Sequence, residues 1–308
     1  MIGLNSLKLM EDDKLLKDRT IKEALQRASF CLQKACIDQP RKEAEYLLAL
    51  IMKTDRLKLF LSQDEILTPE LGSFFQDAVE RRCRQEPFAY IAGEKYFYGK
   101  RFIINRDVLI PRPETELIVD CALEWHAWLK TRHDQPIECA DLGTGSGALA
   151  VTLALLLPDS LLWASDISGA SLKVARLNAI EHAVANRIHF LQGDYFDAFD
   201  CTELKPRLHL IVSNPPYLGE KELETLPRGV KDYEPAGALD GGYDGLDGYR
   251  AILSRIGEFV EGPAVLLMEV GSTQKEEIET LCFNTGLFKS LKWRIDLNGW
   301  PRVIEGLI

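Results

Sequence analysis

Apolar residues between about positions 20 and 85 recur at helical spacing, whereas beyond about 138 they gather into short strand-like runs. Thr20 followed by Glu23 has the spacing of a capping box. Behind it, Ile21, Ala24, Leu25, Ala28, Leu32 and Ala35 form one helical stripe. Asp38-Gln39-Pro40 turns the chain into a second stripe of Ala44, Leu47, Leu48 and Ile51. Thr68-Pro69 reads as an N-cap with proline at the first helical position, opening a third helix with Leu71, Phe74, Phe75, Ala78 and Val79 inside. Residues 1–86 are therefore predicted to form a helical bundle. It carries no group of residues that does chemistry, so it is expected to be a recognition or scaffold element, substrate recognition being the expected task.

Residues 87–110 change character. Tyr96-Phe97-Tyr98, then Gly99-Lys100, then Phe102-Ile103-Ile104 predict an aromatic β-hairpin within a linker. Pro111-Arg112-Pro113-Glu114 is a stiff, extended turn that feeds a helix from about Thr115. Over residues 111–308 the strand-like runs Glu138–Leu142, Leu161–Asp166, Ile188–Gly193, Leu208–Ser213 and Ala264–Val270 alternate with helical stretches. That alternation predicts a doubly wound α/β domain on a parallel sheet. Leu291–Asp296 and Arg302–Ile308 are expected to close it as an antiparallel pair.

Composition narrows the functional classes. The 308 residues are 46% hydrophobic and 27% charged, a globular balance with length for about two domains. No apolar run approaches the ~20 residues of a membrane span, and the longest, around Ala148–Leu157, stops at Pro158-Asp159. The N-terminus lacks a compact apolar signal core, so a cytoplasmic location and no membrane partner are expected. The 7 cysteines are irregularly spaced without a C-x-x-C pair, which predicts reduced thiols and no metal site. A net charge of −10 lacks the basic excess of a dedicated nucleic-acid binder. Small molecules and proteins are the expected partners, with no stable nucleic-acid binding, and a monomer suffices.

Asp141-Leu142-Gly143-Thr144-Gly145-Ser146-Gly147 stands where a strand turns into a helix. A glycine turn there is compatible with no ligand at all, or with a dinucleotide whose ribose meets Asp166 after the next strand. The spacing, however, is G-x-G-x-G rather than G-x-G-x-x-G, which suits a nucleoside carrying an amino-acid tail, such as S-adenosylmethionine. Asp141 can accept from the ligand's ammonium and Asp166 from its ribose hydroxyls. Asp194-Tyr195 follows the next strand; the pair fits a surface acid beside a half-buried aromatic, or, in a nucleoside site, a ring that packs on adenine and a carboxylate that accepts from its amino group.

Asn214-Pro215-Pro216-Tyr217 is the sharpest signal. Two prolines end the preceding strand in a rigid loop, but a structural stop needs neither the Asn nor the Tyr. Those residues match a planar, conjugated NH2 group, whose delocalised lone pair is a poor nucleophile. The Asn214 side-chain oxygen and the Pro215 carbonyl can each accept one N–H, directing the lone pair at an incoming methyl. Tyr217 offers a face for the flat group.

Together with these two motifs, Leu109-Ile110-Pro111-Arg112-Pro113-Glu114-Thr115-Glu116 and the pair of stretches Tyr233-Glu234-Pro235 and Leu239-Asp240-Gly241-Gly242-Tyr243-Asp244-Gly245-Leu246 resemble the bacterial release-factor glutamine methyltransferases of the HemK type. The resemblance covers essentially the whole chain. It implies a Rossmann-like S-adenosylmethionine-dependent methyltransferase domain behind an N-terminal helical bundle. The implied reaction methylates the side-chain amide nitrogen of the glutamine in the Gly-Gly-Gln loop of peptide-chain release factors, modulating translation termination. By motif, Gly143, Thr144, Gly145, Ser146 and Gly147 would cradle the methionine portion. Asp166 would hold the ribose, Tyr195 would stand at the adenine position, and Asn214 would border the cofactor. Asn214, Pro215, Pro216 and Tyr217 would bind the glutamine amide, with Asn214, Pro215 and Tyr217 acting in catalysis. A glutamine on a ribosomal protein, or adenine in nucleic acid, stays open as an alternative substrate, and a non-catalytic nucleoside-binding module as an alternative class. Ala236-Gly237 and Trp300-Pro301 depart from the family pattern outside the matched motifs.

Overall fold

The computed structural model describes residues 19–202 and 206–308. Two compact units emerge, one running to Gly93 and joined by Arg228–Tyr233, the other taking Glu94–Pro227 and Glu234–Ile308.

The first unit is helical: α1 (Ile21–Lys34), α2 (Pro40–Ile51), α3 (Arg56–Leu61), α4 (Pro69–Cys83) and α5 (Phe88–Ala92). Both N-terminal signals hold. Thr20 and Glu23 exchange side-chain bonds with each other's backbone N–H, and the Thr68 hydroxyl accepts from the N–H of Leu71. The α1, α2 and α4 stripes meet in a core around Leu25, Leu32, Leu47, Leu48, Phe75 and Val79. Phe74, expected inside, is 57% exposed. It lies about 100° around the helix from Phe75, the centre of the buried stripe, which puts it past the stripe's edge. The short helices α3 and α5 have too few turns to show a period, and the stripe reading did not separate them. In the last stretch of this unit the Tyr233 hydroxyl donates to the Arg84 carbonyl.

The second unit opens with the predicted hairpin, β1 (Glu94–Phe97) and β2 (Lys100–Ile103), paired antiparallel. Tyr98 and Gly99 link them at φ of 48° and 70°, the double left-handed turn whose twist matches that of the strands. Then follow α6 (Glu116–Lys130), β3 (Glu138–Leu142), α7 (Ala148–Leu156), β4 (Leu161–Asp166), α8 (Gly169–Glu181), β5 (Ile188–Gln192), β6 (Leu208–Ser213), α9 (Asp247–Arg255), β7 (Val260–Glu269), α10 (Lys275–Thr285), β8 (Ser290–Ile295) and β9 (Pro301–Leu307). A short helical turn occupies Glu220–Glu224, and another, Arg228–Lys231, belongs to the first unit. The seven-stranded sheet has the order β5-β4-β3-β6-β7-β9-β8. β3 to β7 run parallel, and the terminal pair is antiparallel, as the tail pattern predicts.

Alternation along the strands loads both faces. Cys139, Leu210, Val212, Val265 and Leu267 pack against α6, α7 and α8. Their neighbours Ala140, Leu142, Ile211, Leu266 and Met268 pack with Tyr249 and Ile252 of α9 and Ile278 of α10. A sheet covered on both sides needs such continuously apolar strands. α7 is apolar all round because it is buried nearly throughout, from Ala148 to Ala154. Among the described residues, no helix is long and apolar enough to cross a membrane.

Candidate active site

Strand order determines where ligands bind. From β3 the chain winds outward through β4 and β5, then crosses back to lay β6 on the other side of β3. Open α/β sheets bind ligands at such a reversal, outside the carboxyl ends of the strands. The register makes this concrete: Leu142 pairs with Ser165 and with Ser213, and Ser213 pairs with Met268. One residue further along each strand stand Asp166, Gly143, Asn214 and Glu269, four neighbours in a row along one edge. The Ser213 hydroxyl donates to the Leu142 carbonyl at 2.6 Å, tying the exits of β3 and β6 together.

The glycine turn wraps around two carboxylates. Gly143 and Thr144 each donate a backbone N–H to the Ser165 carbonyl at 2.9 Å. Gly145 N–H reaches one Asp166 oxygen at 2.8 Å, and Ser168 N–H reaches the other at 2.8 Å. At Gly147, with φ +79°, an added Cβ would lie 3.1 Å from Ala175, so glycine permits the close approach of α7 and α8. Thr144 and Ser146 are buried. The Ser146 carbonyl accepts from Asn178, which also bonds both backbone groups of Ile103. Asp141 lies under the turn, and one of its oxygens accepts from the Thr144 hydroxyl at 2.6 Å and from Ala150 N–H at 3.0 Å. Its other oxygen is buried with no hydrogen-bond partner, as is the Ser165 hydroxyl. Burial pushes the Asp141 carboxyl up to about 7 and raises that of Asp166.

Tyr195 lies between the glycine turn and the first turn of α9. It holds φ at +40°, a conformation that costs a non-glycine residue energy and that clusters at functional sites. Its ring edge lies 3.5 Å from where a Cβ on Gly143 would be, and its hydroxyl 2.7 Å from where one on Gly248 would be. Asp194 beside it is exposed.

Pro215 is buried, and Asn214, Pro216 and Tyr217 are half-buried. The Asn214 amide nitrogen donates to the Thr115 hydroxyl at 3.0 Å, and that hydroxyl donates to Glu269 at 2.5 Å. The Tyr217 hydroxyl faces the second Glu269 oxygen at 3.5 Å, and the Tyr249 hydroxyl donates to the Glu269 carbonyl at 2.9 Å. Desolvation pushes the Glu269 carboxyl up to about 7 and the Tyr217 phenol up to about 12.

The remaining matched motifs build the back of this loop. Leu218 bonds across to Leu239 and Gly241, and Gln274 donates to the carbonyls of both Tyr217 and Gly245. A Cβ on Gly245 would fall 2.4 Å from the Tyr217 carbonyl oxygen, so only glycine lets the two loops meet. Arg112 and Ile110 N–H both bond Glu234, anchoring the segment that delivers Thr115. Ala236-Gly237 lies apart, in a short turn where a Cβ on Gly237 would meet nothing within 4 Å.

All the residues singled out from the glycine and proline motifs thus converge on one edge of the sheet. Two members of the constellation, Thr115 and Glu269, had no role in the sequence reading. Thr115 lay inside a matched motif. Glu269 carried a weaker signal, a single acid within the expected strand Ala264–Val270.

Comparison with known proteins matches residues 23–93 to the PrmC N-terminal domain and residues 127–227 to the methyltransferase small domain. The release factor glutamine methyltransferase of Nitratidesulfovibrio vulgaris is 37% identical, covering 92% of this chain and 94% of its own. That of Koribacter versatilis is 36% identical over 93% and 98% of the two chains. That of Bacillus anthracis is 34% identical over 92% and 97%.

Proposed function

The chain belongs to the release factor glutamine methyltransferase family, and on that premise we propose that it methylates the side-chain amide nitrogen of the glutamine in the Gly-Gly-Gln loop of peptide-chain release factors. The methyl donor is S-adenosylmethionine. When bound, it supplies an electrophilic methyl group on a sulfonium.

The residues present fit such a ligand. The partnerless Asp141 oxygen is one that an ammonium group would satisfy. Each Asp166 oxygen accepts one backbone N–H, leaving lone pairs for hydroxyl donors. Gly143 to Gly147, with Thr144 and Ser146, are assigned to the methionine portion, Asp166 to the ribose, and Tyr195 to the adenine. Asn214 borders both ligands.

The target nitrogen is a poor nucleophile because its lone pair is delocalised into the amide. Asn214 Oδ1 and the Pro215 carbonyl each accept one of its N–H groups, which holds the nitrogen and aims the lone pair. Pro216 stiffens the loop, and Tyr217 gives the flat amide a ring to stack on. Attack makes the nitrogen acidic, so its proton leaves to water without a strong base. Orientation is the main contribution, on a scale of about 7–11 kcal/mol.

The observation that carries this reading is the row of neighbours at the sheet edge, where Gly143 and Asn214 follow the paired residues Leu142 and Ser213. The test uses labelled S-adenosylmethionine with a release factor in wild-type and Gln→Ala Gly-Gly-Gln forms. Label on the wild type alone supports the assignment. Equal label on both forms moves the target elsewhere, and label on neither returns ribosomal protein and nucleic acid to first place.

A further inference from the structure

We infer that Thr115 and Glu269 are positioning residues that determine which end of the Asn214 amide faces the substrate. The inference rests on the amide-clamp reading above and adds to it a device for orienting the clamp.

Asn214 can serve as a clamp only in one of its two orientations. With its oxygen toward the target, it accepts an N–H. Flipped, it presents its own NH2 to another NH2, two donors that cannot bond. The two orientations have nearly the same shape, so packing does not choose between them. Hydrogen-bond direction does. An ionised Glu269 is an acceptor only, and it takes the single proton of the Thr115 hydroxyl. Thr115 then has only lone pairs to offer, so the Asn214 atom 3.0 Å away must be its nitrogen. A flip would set two oxygens against each other beside a buried carboxylate, at the cost of the bond and of the desolvation it offsets. The chain Glu269–Thr115–Asn214 therefore leaves Asn214 Oδ1 free for the substrate.

The arrangement requires ionised Glu269. The groups facing it are the hydroxyls of Thr115 and Tyr217, with Arg302, Glu114 and Tyr249 nearby. Arg302 favours the charged form, whereas burial and Glu114 oppose it. Once protonated, Glu269 can donate to Thr115, whose own proton is then released toward Asn214, and the preference for one orientation is lost. Burial thus brings a pH dependence into the neutral range without any group acting as a base.

The experiment compares wild type with Thr115→Val, Thr115→Ser and Glu269→Gln in the full chain. Four quantities are measured: kcat and KM on a release factor, kcat against pH, S-adenosylmethionine affinity by calorimetry, and the thermal midpoint. Thr115→Val, which keeps the shape and removes the hydroxyl, is expected to lower kcat by about 10- to 100-fold, with little change in cofactor affinity. Thr115→Ser restores most of that loss. Wild-type kcat rises with pH through the neutral range, and Glu269→Gln lowers kcat and removes the rise. A Thr115→Val enzyme with wild-type kcat overturns the inference, as does a Thr115→Ser enzyme as slow as Thr115→Val, since the position would then matter through packing. Should Glu269→Gln fail to fold, the two Thr115 variants decide alone. A wild-type enzyme that labels no release factor instead removes the substrate reading, and the inference with it.

Discussion

Arg112 and Glu234 stand 122 positions apart in the chain and meet as an ion pair whose Glu234 side chain is 1% exposed. Glu234 also accepts from Ile110 N–H at 3.1 Å. Two sequence motifs that look unrelated are therefore halves of one strut, which fixes the stretch delivering Thr115 to Asn214. Glu234→Ala leaves a buried N–H and a half-buried guanidinium without their acceptor. The expected loss is about 1.5–3 kcal/mol, read as a lower urea midpoint. An unchanged midpoint would show that the strut contributes nothing to folding.

Asn214→Ala removes the proposed acceptor for the target N–H and keeps the loop's prolines. Transition-state stabilisation is expected to fall by about 2.7–4 kcal/mol, a 10²–10³-fold drop in kcat. Cofactor affinity should change far less. Steady-state kinetics with calorimetry separates the two, and joint loss of binding and turnover would reassign Asn214 to the cofactor.

Asp166→Ala acts on the other ligand. It removes the carboxylate proposed for the ribose and the acceptor of Gly145 N–H. Cofactor affinity is expected to weaken by about 1.5–3 kcal/mol, the value of hydrogen bonds to a charged group. Equilibrium dialysis checks this, and wild-type affinity in the variant would sink the ribose assignment.

Asp141 predicts a pH dependence of stability. Burial is the largest influence on its carboxyl, Asp166 pushes in the same direction, and the bonds from Thr144 and Ala150 oppose them, with a net rise to about 7. The folded chain therefore holds this proton more tightly than the unfolded one. Its stabilisation is fully present below about 4 and is lost as pH rises through about 7. Asp141→Asn carries no such charge. Without cofactor, the variant's thermal midpoint should gain on wild type between pH 5 and pH 8. A constant difference across that range would mean the buried carboxylate costs nothing when ionised.

Local patterns in the sequence were enough to define most elements of the second unit. Glu138–Leu142, Leu161–Asp166 and Leu208–Ser213 are strands over those same residues, because apolar runs bounded by Gly, Pro or Asp need no distant partner to be recognised. Thr20 and Thr68 were legible for the same reason, since a cap is a contract among residues a few positions apart. The hairpin was legible too, but its turn falls on Tyr98-Gly99, one residue before the expected Gly99-Lys100. The glycine turn and the Asn-Pro-Pro-Tyr loop were visible as candidate site motifs because each is contiguous.

Tertiary structure decided what lies across the sheet. That Asp166, Gly143, Asn214 and Glu269 are neighbours follows from strand order and register. Register is set by how two facing surfaces pack and has no signature within a single strand. Phe74 and Phe75 were both counted inside from their apolar character, and the packing centred on Phe75 leaves Phe74, about 100° around the helix, outside. Glu269 shows the same division most clearly. In the sequence it is the one acid within an apolar run, and it gains a partner only when folding brings Thr115, 154 positions away, within hydrogen-bond distance in a space that excludes water.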